Sequence, residues 1–410
     1  MRQISYRYRP FHAILDRLIG FLPSRYVHEA YTPLHSSPQR ILVVKFGGMG
    51  EAVLACSLLT TLKERHPHLQ IDFLIENRVA GVVNASGTGK VYSYIPHKDG
   101  LWKAVRILLR VRRARYAAAI DFEQQSLLTA FFLRMTGIPV RLGFSPSAPS
   151  PRTRMFTHLV QLHENESMWR SFLRLARIFD SGIPESLQTV PLPYSEQNSV
   201  WLNDWRREHG IGDSSTSLIA MHLGVGPSAQ YRRWPMERFL DLARALAEQC
   251  SNIVIILTGS NAEQALIRRF SDSFQGRSVD ASDLGDIQRT AALLRHCDLL
   301  VSADTGIMHL AAAMGTPTVG LFGPNAPSCW APVGPRATYV CSTRQRCSPC
   351  INSYKRHIPE TCSSPQESAC MWDISVEDVL RAATKVVDPY RLGSLLPQSS
   401  GLATRISSTP

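Results

Sequence analysis

A single carboxylate, Glu51, stands at a glycine-rich corner between an apolar run and a helical pattern. Residues 41–65 read ILVVKFGGMGEAVLACSLLTTLKER. The run 41–44 is typical of a parallel strand buried on both faces, and an open α/β sheet binds its ligands at the carboxyl ends of such strands. Gly48 and Gly50 let the backbone turn tightly and let another molecule approach it. A carboxylate at this corner can serve as a general base, although a helix-start acid favoured by the macrodipole remains the alternative.

A second loop has groups suited to phosphate. The stretch SADTGIMHLAAAMG sets Asp304, Thr305 and Gly306 between an apolar strand and a small-residue helix. A helix start there offers free backbone N–H groups and a positive dipole end to an anion. The alternatives are that Asp304 only caps the helix and that His309 is only a core histidine.

A third loop, in HLGVGPSAQYRRWPMERF, combines glycines with guanidinium groups. Gly224 and Ser228 lie in the loop, Arg232 follows, and a helix opens at Pro235. A guanidinium beside a flexible loop can hold a diphosphate by bidentate contacts, whereas an ordinary surface loop before a proline-started helix is the alternative. Because this loop and the Asp304 loop both follow strands in the same half of the chain, we expect them at one edge of one sheet.

Four of the nine cysteines have metal-ligand spacing. They follow the pattern Cys347-x2-Cys350-x11-Cys362-x7-Cys370. Four thiols that begin with C-x2-C suit a tetrahedral structural site for zinc or iron. Reduced thiols without metal are the alternative.

The elements that must position these residues follow an alternating pattern. Apolar runs alternate with helical stretches, which predicts βαβ units and parallel sheets. The predicted strands are 41–46, 71–75, 117–122, 217–223, 252–259, 298–304 and 316–323, and the predicted helices of the second half are 235–249, 261–271, 286–296 and 305–314. The sequence therefore predicts two Rossmann-like domains, 39–195 and 196–388, the second including a cysteine-rich segment at 341–370.

The two ends of the chain differ from this pattern. Residues 1–38 form an extension with a helical apolar stripe flanked by arginines, which suits a membrane surface, with packing on its own domain as the alternative. The stripe comprises Phe11, Ile14, Leu15, Leu18, Ile19 and Leu22. The tail 389–410 is polar and is expected to be flexible. The basic stretch 101–116 is either a solvated face or a surface for an anionic acceptor or lipid.

Composition narrows the class of protein. The chain has 410 residues and a formal net charge of +12, which implies an anionic partner. No run reaches the roughly 18 to 20 apolar residues that cross a bilayer. Without a convincing secretion signal, a cytoplasmic location with reduced cysteines is expected.

The motifs together resemble glycosyltransferase family 9, the ADP-heptose:lipopolysaccharide heptosyltransferases. The similar pieces, in order over residues 40 to 385, are KFGGMGEAVLACSLLTTLKE, AIDFEQQSLLTAFFLRMTGIPVRLGF, HLGVGPSAQYRRWPMERF, LLVSADTGIMHLAAAMGTPTVGLFGP, CSPC and CMWDISVEDVL. The resemblance implies a GT-B fold, in which two facing Rossmann-like domains enclose a cleft. It also implies inverting transfer of heptose from ADP-heptose to a lipopolysaccharide-core or related acceptor.

The resemblance assigns roles to particular residues. The diphosphate-binding D-T-G-x-x-H falls on Asp304, Thr305, Gly306 and His309, the basic residue before the tryptophan falls on Arg232, and a donor-site acid falls on Glu263. Glu51 takes the place of the family's usual aspartate base. The predicted acceptor-side residues are Gly48, Gly50, Asp121 and Glu123, the last two being next in line as base.

The resemblance also implies the substrates and the location. Catalysis needs no metal, so zinc or iron would be structural only. The expected partners are an ADP-sugar and an anionic lipid-linked glycan, met as a peripheral protein at the cytoplasmic face of the inner membrane, and no nucleic acid.

Three alternatives stay open. A NAD-dependent dehydrogenase is disfavoured because Gly47, Gly48 and Gly50 do not form G-x-G-x-x-G. A non-catalytic binding protein with the GT-B fold, and a glycosyltransferase with a different nucleotide-sugar donor, are the other two.

Overall fold

The computed structural model describes residues 39–388, except for 86–88, 97, 147–149, 190, 193–194, 213–215, 227–229, 251, 353 and 355–356. The predicted amphipathic helix in 1–38 and the predicted flexible tail at 389–410 lie outside the described residues. Within them, the chain forms two six-stranded parallel sheets with helices on their faces. The α/β prediction is therefore confirmed.

The first sheet belongs to the N-terminal half of the chain. Its elements are β1 (Arg40–Lys45), α1 (Met49–Arg65), β2 (Gln70–Ile75), α2 (Ala80–Ala85), β3 (Val91–Ser93), α3 (Leu101–Ala114), β4 (Ala118–Asp121), α4 (Leu127–Thr136), β5 (Val140–Ser145), β6 (His158–Gln161) and α5 (Met168–Phe179). The strand order is β3-β2-β1-β4-β5-β6. The order reverses direction between β1 and β4, and such a switch point leaves a crevice for ligands at the carboxyl ends of the two strands.

The alternation of side chains along β1 explains why helices cover both faces. Ile41 and Val43 join the core under α1, whereas Leu42 and Val44 join a separate core with residues of α3 and α4. Successive strand residues point to opposite faces, so an unbroken apolar run must be covered twice. As a result, α1 and α3 lie on opposite faces of this sheet.

The second sheet repeats the arrangement in the C-terminal half. Its elements are α6 (Glu196–Glu208), β7 (Ser217–His222), α7 (Met236–Gln249), β8 (Ile253–Gly259), α8 (Gln264–Ser273), β9 (Ser278–Ser282), α9 (Ile287–Arg295), β10 (Leu299–Ala303), α10 (Gly306–Ala313), β11 (Thr318–Phe322), α11 (Pro327–Trp330), β12 (Ala337–Cys341), α12 (Ala369–Trp372) and α13 (Val376–Ala383). The order β12-β11-β10-β7-β8-β9 places a second switch point between β7 and β10.

All seven strands predicted from apolar runs are present. The strands β3, β5, β6, β9 and β12 were not predicted, because they are short or only partly buried and lack a continuous apolar run. They complete the edges of both sheets and leave the two switch points where the motifs predict them.

None of the helices described in the structure is long and apolar enough to span a membrane.

Candidate active site

Three charged side chains meet at the carboxyl end of β1 and form what we call the carboxylate cluster: Lys45, Glu51 and Glu123. The Lys45 side chain is 1% exposed, and its Nζ lies 2.5 Å from Glu51 Oε2 and contacts Glu123 Oε1. Glu123 Oε1 also accepts hydrogen bonds from the backbone N–H groups of Phe46, at 2.9 Å, and Gly47, at 3.2 Å. One buried cation therefore orients both carboxylates at the first switch point.

Electrostatics separate the two carboxylates. Burial raises the pKa of Glu51, Lys45 opposes this, and the charge of Glu123 raises the pKa further. Burial also disfavours ionised Glu123, but Lys45 and the two backbone amides hold the pKa of Glu123 below its usual value. A helix start alone would lower the pKa of Glu51. The helix start was expected to favour ionised Glu51. Burial has the larger effect and raises the pKa instead, because it disfavours a charged carboxylate.

Gly48 makes the corner compact enough for this cluster. It precedes α1 with φ of 67°, a left-handed backbone conformation that glycine adopts without strain. A Cβ at this position would also lie 3.1 Å from the Glu51 carboxyl carbon. The glycine therefore lets the Glu51 carboxylate fold back toward Lys45.

Asp121 lies beneath the cluster rather than in the crevice. It is fully buried, and its Oδ2 receives hydrogen bonds from Arg152 and Thr129, both at 2.9 Å. Its Oδ1 accepts the backbone N–H of Glu123 at 3.0 Å. Burial raises the pKa of Asp121 to about 6, against the pull of Arg152. This geometry makes Asp121 a support for the loop that carries Glu123.

The second switch point holds the predicted donor residues Gly224 and Glu263. Glu263 Oε2 accepts hydrogen bonds from the backbone N–H of Ser260 at 2.8 Å and from its hydroxyl at 2.9 Å. A Cβ at Gly224 would overlap Glu263 Oε1, so the loop after β7 packs directly on this acid. His222, at the end of β7, is buried, which lowers its pKa, while Glu263 opposes that shift.

Arg232 and Asp304 meet on the other side of the same crevice. Arg232 Nη1 lies 3.3 Å from the Asp304 carbonyl oxygen and 3.5 Å from Asp304 Oδ2. Asn325 Nδ2 donates to the same Oδ2, and His309 Nε2 lies 3.9 Å from Oδ1. Among the described residues, Arg232 Nε and His309 Nδ1 are buried without a hydrogen-bond partner. Among the described residues, four other arginines also leave Nε unpaired, so such an atom alone does not identify a ligand site. In this crevice, however, Asn325 Oδ1 is unpaired as well, and the three atoms around Asp304 are available to a ligand.

The helix start after β10 is capped by Thr305. Its hydroxyl accepts the backbone N–H of Met308 at 3.4 Å and bonds the hydroxyl of Ser302 at 3.0 Å. The alternative in which Asp304 is the cap is therefore wrong: Asp304 bonds across the crevice instead. The predicted donor residue Ser228 lies outside the described residues.

The two crevices face each other through the starts of α1 and α10. A Cβ at Gly50 would lie 2.5 Å from His309 Cδ2, and one at Gly306 would lie 2.8 Å from Met49 Cβ. Only residues without a side chain allow the helices to approach this closely. The carboxylate cluster and the Arg232–Asp304 crevice are thereby brought to one interdomain cleft.

The four cysteines of the predicted metal site are free thiols in the structure. Burial raises the pKa of Cys370 to about 12, and the neighbouring Cys350, Cys362 and Cys347 add to the shift, so the four thiols share one region. In the portion of the chain described, however, no group of three or more His, Cys, Asp or Glu side chains is arranged to hold a metal ion.

Several site residues were not identified from the sequence. The sequence contains a signal for Lys45, since a lysine that ends a buried apolar strand requires a charged partner. It contains no signal for Arg152, His222 and Asn325, because their roles depend on contacts with residues far away in the chain. Tyr354, in the cysteine-rich segment, likewise donates from its hydroxyl to the carbonyl of Glu166 at 2.8 Å and joins the two halves.

Two parallel α/β units that face each other across a cleft correspond to the GT-B fold of glycosyltransferases. The model of glycosyltransferase family 9 (heptosyltransferase) matches residues 104–358, and the chain belongs to this family. The predictions of the family and of glycosyltransferase activity are confirmed.

Individual relatives agree with this assignment. Lipopolysaccharide heptosyltransferase 2 of Escherichia coli K12 is 24% identical over 73% of this chain and 87% of its own. The solved structure of E. coli ADP-heptose lipopolysaccharide heptosyltransferase II has a TM-score of 0.64 at 19% identity and covers 85% of this chain and 98% of its own. The iron-containing dodecameric glycosyltransferase TibC from enterotoxigenic E. coli H10407 has a TM-score of 0.51 at 12% identity, over 86% and 77%. The two structures share the fold.

Proposed function

We propose that this glycosyltransferase transfers a heptose from ADP-heptose to a hydroxyl of a lipopolysaccharide-core or related glycan, with inversion at the anomeric carbon. The observation that carries the proposal is the packing of Gly50 in α1 against His309 in α10. This packing puts Glu51 and the Arg232–Asp304 crevice on opposite walls of one cleft, which supports a base on one wall and the donor diphosphate on the other. The similar E. coli enzymes are an ADP-heptose and lipopolysaccharide heptosyltransferase by name, which supports this donor and this acceptor.

Glu51 is the proposed general base. It accepts the proton of the acceptor hydroxyl while that oxygen bonds to the anomeric carbon and the bond from this carbon to ADP breaks. A carboxylate with a raised pKa is the better proton acceptor, provided it is still ionised at the working pH. The two carboxylates also raise the pKa of Lys45, although burial opposes this. Lys45 therefore stays a cation that orients Glu51 without taking the proton.

The Arg232–Asp304 crevice is the proposed site of the donor diphosphate. The Arg232 guanidinium and the free N–H groups at the start of α10 would stabilise the negative charge that develops on departing ADP. Gly224, Ser228, Glu263 and His309 remain predicted donor-site residues. Gly48, Gly50 and Glu123 remain predicted acceptor-side residues, with Asp121 acting through Glu123.

The proposed acceptor is anionic and lipid-linked, and the proposed place of action is the cytoplasmic face of the inner membrane. The formal net charge of +12 supports attraction to such a partner.

A transfer assay tests the function. Purified protein is mixed with ADP-heptose and lipopolysaccharide from cells that lack core heptose, and we expect acceptor-dependent release of ADP and a glycosidic bond of inverted configuration by NMR. Donor binding without transfer would instead support the non-catalytic alternative. Transfer from other nucleotide sugars but not from ADP-heptose would support a different donor.

We further propose that Cys347, Cys350, Cys362 and Cys370 bind one structural zinc or iron ion. The chemistry of four thiols and their shared region support this, although the described thiols are not in ligand geometry. A bound ion would cross-link the segment and keep the thiols ionised.

Elemental analysis of protein purified without a metal-affinity tag should find about one zinc or iron per chain. Cys350→Ser should lose the metal and lower the melting temperature, because a four-ligand site does not close with three thiols. Cys250→Ser, outside the segment, is the matched control and should keep the metal. A wild-type protein that contains no zinc or iron, and whose melting temperature equals that of Cys350→Ser, would contradict the proposal.

A further inference from the structure

The helix α3 has an exposed face that the catalytic cleft does not use. Trp102 is 82% exposed, Leu101 is 74% exposed and Leu109 is 46% exposed. Large apolar side chains at such exposure are unusual in one helix, and a tryptophan is enriched where an apolar phase meets water. The opposite side of the helix packs on the sheet through Ile107 and Val111.

The same face is strongly basic. Residues 102, 106, 109 and 113 recur at i, i+4, i+7 and i+11, so Trp102 and Leu109 alternate with Arg106 and Arg113 along one stripe. The flanking Arg110 and Arg112 are also exposed. Within the residues that the structure describes, none of these four arginines forms an ion pair with a carboxylate, and the helix itself contains no acidic residue.

The position of α3 relates this face to the cleft. The helix lies on the sheet face opposite to α1, and thus away from the contact between α1 and α10. In a parallel sheet, a helix that follows a strand begins near the carboxyl edge. Trp102, in the first turn of α3, therefore lies toward the same edge of the sheet as Glu51.

We propose that the exposed face of α3 docks the enzyme on an anionic lipid surface. Trp102 and Leu109 enter the interface between headgroups and acyl chains, and Arg106, Arg110, Arg112 and Arg113 bind lipid phosphates. Docking through α3 presents the carboxyl edge of the first sheet to a lipid-linked glycan. The role of docking in meeting a lipid-linked acceptor rests on the proposed function. Docking itself needs no catalysis.

Vesicle flotation of the full-length protein tests the proposal. We expect binding to vesicles of phosphatidylcholine with about one third phosphatidylglycerol, little binding to phosphatidylcholine alone, and weaker binding at high salt. Arg106→Glu/Arg113→Glu should bind at least about tenfold more weakly, since each basic group near an anionic membrane contributes roughly a factor of five. Trp102→Ala should weaken binding about threefold or more.

The control is Arg268→Glu/Arg269→Glu, which makes the same charge change on exposed positions of α8 in the other domain. It should bind nearly as well as wild type. Brominated lipids should quench tryptophan fluorescence in wild type and much less in Trp102→Phe.

Either of two results would overturn the docking proposal: no binding of wild type to anionic vesicles, whether or not it binds soluble heparin, or equal loss of binding in the α8 control. Unchanged binding by the α3 variants would also overturn it and pass the role to another segment, such as residues 1–38. Transfer to a delipidated, soluble acceptor should be the same in wild type and in the α3 variants. Failure of that reaction in wild type would count against the proposed function and leave docking intact.

Discussion

Replacing Glu51 by glutamine is expected to lower turnover by roughly 10²- to 10⁴-fold, the range for loss of a positioned general base. Glutamine has the same size as glutamate and fits the first turn of α1, but it cannot take the proton from the hydroxyl of the acceptor. Donor affinity should stay nearly constant, because the proposed diphosphate site, the Arg232–Asp304 crevice, lies on the other wall of the cleft. Turnover by ADP release and donor affinity by calorimetry measure the two effects separately.

The matched control is Glu64→Gln, the same substitution at an exposed position near the other end of α1. It should leave turnover unchanged.

Glu51→Asp adds a sharper test, because Glu51 Oε2 lies 2.5 Å from Lys45 Nζ. One methylene less withdraws the carboxylate by about an ångström, and misplacement of this order is costly in catalysis. Aspartate should therefore also be slow, although the resemblance to the family predicts an aspartate at this position.

The pH dependence should identify the base. Because the pKa of Glu51 is raised, the acidic limb of kcat/KM should lie above the pKa of about 4.3 of an ordinary glutamate. Glu123→Gln removes a negative charge that raises the pKa of Glu51, so the limb should move to lower pH. Near-normal turnover by folded Glu51→Gln would reduce Glu51 to a helix-start acid and make Glu123 the next candidate.

Replacing Arg232 by alanine is expected to weaken the binding of ADP or ADP-heptose by about 1.5 to 3 kcal/mol, the range for a hydrogen bond to a charged group. This corresponds to roughly 10- to 150-fold in Kd. The position of Arg232 supports the effect, because its Nη1 lies in the crevice beside Asp304, at the start of α10.

Calorimetry with ADP measures the loss, with Arg244→Ala as the control. Arg244 is an exposed arginine of α7 that pairs with Asp241 at 3.2 Å, away from the crevice. Its removal should leave donor affinity unchanged. Equal affinity of wild type and Arg232→Ala would move the diphosphate site elsewhere and leave the role of Glu51 untouched.

Local pattern was sufficient for the fold class and for the corners that carry the chemistry. The run at 41–44 is apolar without interruption and the run at 299–303 is apolar except for Ser302, and a buried parallel strand is the simplest structure for both. The glycines after the first run and Thr305 after the second then mark the turn and the helix start. These signals are local, since each depends on residues within one strand and the following turn.

The tertiary structure decided how these corners work. Lys45 became the shared partner of Glu51 and Glu123, and burial of the cluster reversed the pKa shift that the helix start alone predicts. Asp121, which sequence grouped with the acceptor side, became a buried support held by Arg152. Burial and pairing depend on residues that are distant in the chain, so no local pattern could reveal them.

Sequence alone also could not decide which of the two basic helical patterns is exposed, because exposure depends on residues that are distant in the chain. Sequence left residues 1–38 open between a membrane surface and packing on their own domain, and left 101–116 undecided between a solvated face and a contact with an anionic acceptor or lipid. An amphipathic pattern tells which side of α3 can pack, but only the assembled sheet leaves Trp102 exposed and places it toward the edge that carries Glu51. Exposure is a property of everything that packs around a helix, and a sequence shows only the helix.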